Sequence, residues 1–196
     1  MKTIAEHISG YTYGAAGVSP VSLQDLEKLK ISVGWTEEDE RYRHMAGEVL
    51  ADQTKTVVTH WRQEIIGGIP NLSRHSRSLE GEPIPDYSAK SGLRFEQWIL
   101  DTCCRPYDQD WLNYQNEIAL RHTSHKKNMT DGVDSTAYVP LRDIIAFVVV
   151  MNKTIKPYLA ARGHTAEEVE KMHQAWVKSL QLQIALWSQP YSNGEW

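Results

Sequence analysis

The sequence predicts an all-α protein, and three observations carry that prediction. No segment shows the strict apolar/polar alternation of a half-buried strand. Apolar residues recur instead at the three- and four-residue spacing of amphipathic helices. Side chains that accept a hydrogen bond from a helix N-terminus stand just before such stretches, at Ser22, Thr36 and Thr165.

Taken in order, "YTYGAAGVSP" (11–20) is a Gly- and Pro-rich lead-in. Ser22, with Asp25 three residues on, caps a first helix that runs to about Val33. Thr36 followed by "EED" opens the next, because acidic side chains favour the positive end of a helix. That pattern reaches Ile66 and is long enough for two helices, with Gly47 as the joint and "GGIP" (67–70) as the stop. "SRSLEGEPIPDY" (76–87) reads as a loop, and residues 87–102 resume helical spacing through Phe95, Trp98 and Ile99. Asp108 or Asp110 caps a helix leading into "YQNEIALRHTSHKKN" (114–128), and "MTDGVDSTAYVP" (129–140) is a connection. Two long helices close the chain, at about 140–161 and 165–188.

With 196 residues, 41% hydrophobic and 23% charged, the chain is sized and composed for one globular domain with a real core. A net charge of -4 gives no global field for nucleic acid, and "HKKN" (125–128) is too short a run to change that. The longest apolar run, "IIAFVVVM" (144–151), suits a buried helix and falls short of the ~20 residues that span a bilayer. "MKTIAEHISG" lacks the apolar core and small-residue cleavage site of an export signal, so the cytoplasm is the expected compartment. Cys103 and Cys104 are neighbours, where a disulfide would be strained, so both are expected as free thiols.

The segment 114–128 holds two histidines that are not equivalent. At ~100° per residue, Trp111, Ile118 and His122 fall within about 40° of one another, so His122 ends an inward apolar stripe. His125 lies past the helix end among Ser124, Lys126 and Lys127, and is expected in solvent. An inward histidine reads either as a satisfied core residue or as a metal ligand. A non-haem metal needs three or four protein donors, whereas haem brings four of its own and needs one imidazole. Glu170 and His173 have the i, i+3 spacing of a di-iron bundle, but no second copy of that motif accompanies them.

A set of longer motifs points further: "GYTYG" (10–14), "AGEVLADQ" (46–53), "RFEQWILDT" (94–102), "YDQDWLNYQNEIALRH" (107–122), "KKNMTDGV" (126–133), "KPYLAARGHT" (156–165), "EEVEKMHQAW" (167–176) and "LQIALWSQPY" (182–191). In these, and in their order, the chain resembles the protoglobins, single-domain haem proteins of the globin-coupled sensor lineage. The resemblance implies one domain over 1–196. Its globin core is a three-over-three helical sandwich over 36–190, with an extension and an extra helix in 1–35. It implies haem b held by His122 as proximal ligand, with a five-coordinate iron that binds O2, CO or NO. A gas sensor or scavenger is the function this implies, as a homodimer through the last two helices. With no output domain after residue 196, a sensor would signal through its dimer or a partner.

The resemblance places Trp61, Phe95, Phe147 and Met151 on the distal side. Two departures stand out. The residue after Trp61 is Arg62 where the family usually has tyrosine, a longer donor that stays charged. Turned inward, Arg62 would favour anionic or strongly polarised ligands; the helical wheel puts it at the stripe's edge and favours an outward position or a haem propionate. The second departure is "NLSRHSRS" (71–78), polar and basic through Arg74, His75 and Arg77. It reads as a solvated loop, or as a source of a proton at the haem edge. Both keep a haem enzyme, with peroxidase-like or nitric-oxide/nitrite chemistry, as the alternative. Lys126 and Lys127 read as solvated surface or as neighbours of a haem propionate.

Overall fold

The computed structural model describes residues 8–192, 194 and 196. Most of the stretch weighed as an export signal, and the start of the N-terminal extension, lie outside the described residues. Among those described, every regular element is helical, and β-type pairing is limited to single bridges, Arg77 with Pro83 and Ser78 with Ser135. The helices are α1 Leu23–Ser32, α2 Glu37–Leu50, α3 Thr54–Thr59, α4 Pro70–Ser73, α5 Pro85–Cys104, α6 Gln109–Leu120, α7 Leu141–Leu159 and α8 Ala166–Ser188.

Local chemistry sets four of the starts. Ser22 accepts from the Asp25 N–H, and Asp108, not Asp110, accepts from the Trp111 N–H at 2.9 Å. Thr36 with Asp39, and Thr165 with Glu168, form reciprocal capping boxes that satisfy otherwise orphaned backbone donors.

Other boundaries correct the sequence reading. α2 runs straight through Gly47, and the expected two helices part at residues 51–53 instead. Gly47 is a contact, not a joint. A Cβ there would stand 2.6 Å from Cys104 Sγ and 2.9 Å from Cys103 Cβ, so its absence lets α2 press against α5. α5 begins at Pro85, inside the segment read as loop, because proline at the first helical position removes an N–H that has no helical partner. The basic stretch 71–78 is likewise ordered, as the end of α4 and a 3-10 turn over Arg74–Ser76. Between α3 and α4 the chain widens into a π-helical turn, His60–Ile65.

α8 is the central support: α2, α6 and α7 all pack on it, while α5 carries α2 and α3. Trp61, Ile99, Ile155, Leu159 and Trp176 are sealed in the main core. Each large apolar side chain so buried contributes about 1.5–3 kcal/mol. A second cluster around Trp111, Leu112 and Leu26 ties α1 to α6 and to Leu186 of α8. Cys103 is buried and Cys104 exposed, both as free thiols.

α7 also departs from expectation. Leu141–Arg162 is long and apolar enough, at mean hydropathy 1.4, to pass as a membrane span. Its inner face buries Ile144, Val148, Met151, Ile155 and Leu159 at three- and four-residue spacing, the stripe of an amphipathic core helix. The outer face leaves Ile145 and Val149 50% and 65% exposed.

Candidate functional site

A cavity of about 320 Å³ lies between α5, α6, α7 and the segments around residues 62–76 and 127–139. That is within the ~300–1,000 Å³ of small-molecule and cofactor pockets. Its apolar wall includes Phe95 and Trp98 from α5, Ile118 from α6, Phe147 and Met151 from α7, and Trp187 from α8. The indole N–H groups of Trp98 and Trp187 are turned to the side-chain carbonyls of Gln183 and Gln115, at 2.8 and 2.9 Å. The two rings therefore offer the cavity hydrocarbon surface only.

His122 stands on the cavity wall one residue beyond the Arg121 C-cap of α6. Its backbone N–H donates to the Ala119 carbonyl at 3.0 Å, and its own carbonyl accepts from the Val139 N–H at 2.7 Å. The ring lies near-parallel to Trp187, 6.0 Å between centroids and 25° between planes. Nδ1 is 2.8 Å from the Ile118 carbonyl, which accepts only, so the proton belongs on Nδ1. Burial lowers the imidazole pKa against the pull of that hydrogen bond, and the charges of Lys127, Arg121 and His75 lower it further. A neutral ring fixed in this tautomer leaves the Nε2 lone pair unused. His125 is exposed, in solvent.

Arg62 faces the cavity rather than bulk solvent. The outward position expected from the wheel fails because a π-turn closes its hydrogen bonds over five residues, so each residue advances less than ~100°. Nη1 donates to the Ser88 carbonyl at 2.8 Å, and Gly92 leaves room, since a Cβ there would come within 3.3 Å of Nη1. Burial lowers the guanidinium pKa, and no carboxylate pairs with it among the described residues. Tyr87 lines the wall beside it, its phenol pKa raised by burial.

His75 also turns inward, with 11% of its side chain exposed, so the solvated-loop reading fails at that residue. Nδ1 meets Thr136 Oγ1 at 2.8 Å and Nε2 approaches Asp143 Oδ2 at 3.4 Å. Burial outweighs the Asp143 hydrogen bond and lowers its pKa. Arg74 stays exposed, and Arg77 donates to the Gly81 carbonyl at 3.0 Å.

Of the six residues singled out for the site, five line the cavity: His122, Arg62, Phe95, Phe147 and Met151. Trp61 does not. It is wholly buried one layer back, 5.4 Å from Phe95 between ring centroids, with its N–H donated to Thr154 Oγ1 at 2.8 Å. Its place is behind the wall, supporting Phe95. His60 is turned to the Tyr158 hydroxyl at 3.0 Å and is off the wall. Glu170 pairs with Lys156 while His173 meets the Asn152 carbonyl, so the "EKMH" pair has separate partners.

Sequence reasoning missed Tyr87, Trp98, Asp143 and Trp187, and it did not separate Lys127 from Lys126. Lys127 is only 4% exposed, and its ammonium reaches just Ser135 Oγ at 3.2 Å and Asn128 Oδ1 at 3.4 Å. Burial alone pushes its pKa down to about 8. Of the other cavity cations, Arg94 is matched with Asp131 and Arg121 with Glu117, whereas Arg62 has no carboxylate among the described residues.

Fold and site together define an all-α protein enclosing a cofactor-sized, aromatic-walled, cationic cavity around one free imidazole nitrogen. A family model, Protoglobin, matches residues 22–196, and the chain belongs to that family. Membership implies a haem cofactor, and with it the binding of small gas ligands. A comparison with curated proteins gives no match.

The residues present fit that cofactor. Haem asks the protein for an axial nitrogen, an apolar slot and partners for two carboxylates. The cavity presents a neutral imidazole with a free nitrogen, an aromatic and aliphatic wall, and two cations, half-buried Arg62 and buried Lys127, without a carboxylate among the described residues.

Proposed function

We propose that this protein is a haem b protein that binds O2, CO or NO at a five-coordinate iron held by His122. The observation that carries the reading is the Nδ1 contact to the Ile118 carbonyl, which leaves Nε2 free on the cavity wall. His122 would hold the haem through Nε2, and the bound iron would supply the site at which a diatomic gas is taken up. His122 holds its ring by that hydrogen bond and by Trp187, the kind of outer support that orients a metal-ligating imidazole. Phe95, Phe147 and Met151 keep water from the remaining space. We assign the whole chain, 1–196, to this one domain, acting as a gas sensor or scavenger. Ile145 and Val149 on the outer face of α7 support a homodimer through α7 and α8.

Reconstitution with haemin tests the assignment. The wild-type protein should give a Soret band that is lost or displaced in His122→Ala. A wild-type protein that takes up no haemin would end the proposal. One whose band is unmoved in His122→Ala would end the ligand assignment.

A second reading, a haem enzyme acting on peroxide or nitrite, is favoured by the inward Arg62 and His75. Turnover above that of free haemin, reduced in Arg62→Ala, would support it. Turnover equal to free haemin would remove it.

A further inference from the structure

We propose that the Lys127 ammonium, buried on the cavity wall without a carboxylate of its own, is the receptor for one propionate of the haem seated against His122. The inference rests on the haem reading and adds the way the cofactor's acidic edge is recognised. An ammonium carries three donors. Two are used, in long contacts to Ser135 Oγ and Asn128 Oδ1. Both acceptors are neutral, so among the described residues nothing balances the charge, although the side chain is 4% exposed.

The neighbouring lysine shows what a structural partner would look like. Lys126 is bonded to Glu117 Oε2 at 2.6 Å, and Glu117 also accepts from Arg121. That triad is complete, whereas Lys127 has turned away from it into the cavity. Nor is the ammonium needed to hold its own loop. Asn128 Nδ2 already donates to the Ser135 carbonyl at 2.8 Å, and the Val133 N–H donates to the Asn128 carbonyl at 3.0 Å. Ser135 Oγ in turn donates to the His75 carbonyl, which fixes the hydroxyl that Lys127 leans on. The segment is built around a cation that has no counterion among the described residues. A burial-lowered ammonium pKa agrees with that geometry.

The test compares haemin with haemin dimethyl ester, which keeps the ring and iron but has no carboxylate. Apoprotein is titrated with each and followed at the Soret band, for wild type, Lys127→Gln and Lys127→Arg. Wild type should favour haemin over the diester. Lys127→Gln should weaken haemin about 10–100-fold, the range of a charge-assisted hydrogen bond, and leave the diester within about two-fold. Lys127→Arg should restore most of the haemin affinity. The melting temperature of the Lys127→Gln apoprotein should rise, because an unmatched buried charge has gone; a merely structural lysine would lower it. Equal losses for haemin and diester, or no preference in wild type, would overturn the proposal while leaving the haem reading intact. Uptake of neither porphyrin by wild type would overturn both.

Discussion

Gly47→Ala should destabilise the protein, although alanine is the better helix former. Within a helix the exchange favours alanine by about 1 kcal/mol. Against that stands the built contact: the new Cβ falls 2.6 Å from Cys104 Sγ and 2.9 Å from Cys103 Cβ, with the Cys103 backbone carbon at 3.9 Å. Cys104 is exposed and can swing aside, whereas Cys103 is 1% exposed and held in the core. The α2–α5 contact must therefore open by a few tenths of an ångström. Overpacking of this kind costs about 1–3 kcal/mol; two contacts below 3.0 Å put the site in the upper half of that range, about 2–3 kcal/mol, so the net loss is ~1–2 kcal/mol. For a chain of this size that lowers the melting temperature by about 2–8 °C. Because α5 also carries Phe95 and Trp98, haemin affinity should fall too. Urea unfolding of the apoprotein with unchanged m-value is the assay. A Gly47→Ala protein as stable as wild type, or more so, would refute the contact reading and restore glycine as a simple helix weakness.

Three further outcomes follow from the site. Arg62→Leu in the haem-loaded protein should weaken cyanide or azide about tenfold or more and leave CO nearly unchanged, read by Soret titration; equal effects on both ligands would place the guanidinium away from them. The apoprotein should gain stability between pH 8 and 10.5. Folded Lys127 has a pKa of about 8, below its unfolded value, so in that window the unfolded chain holds the extra proton and stability rises with pH. The gain is about 2–3 kcal/mol, measured as the urea midpoint difference between wild type and Lys127→Gln; a difference flat across pH 7.5–10.5 would contradict it. Val149→Asp should yield a monomer in sedimentation with unchanged circular dichroism, and an unchanged assembly state would exclude the outer face of α7 as the dimer contact.

What was legible in the sequence was what local chemistry decides. Ser22, Thr36, Asp108 and Thr165 announce helix starts because a cap is a contract between residues three apart. The apolar stripe of α6 points His122 inward for the same reason. Gly47 was misread because its role depends on α5, distant in sequence, whereas Pro85 carried a local helix-start signal that was read as loop, and the π-turn at His60–Ile65 was missed. A glycine that weakens a helix and a glycine that admits another helix look alike until the second helix is in place. The π-turn moved Arg62 from the rim to the wall, and no regular period of the chain registers such a turn.

The same limit explains the cavity. Phe95, Phe147 and Met151 were placed through family resemblance, whereas Trp61 was placed one layer too far forward. Lys126 and Lys127 are indistinguishable as letters, yet one completes a surface triad and the other is sealed at 4% exposure. Nothing within a few residues separates them, because the difference is made by Ser135 and by the fold of residues 127–139. Burying Lys127 without a carboxylate partner among the described residues disfavours the apoprotein. On the propionate reading, a ligand bearing a carboxylate relieves that penalty, so it stabilises the fold by more than its contact area alone supplies. A neutral apolar occupant would fill the same walls and leave the charge stranded. A preference for haemin over its neutral diester therefore reports on this charge independently of the imidazole.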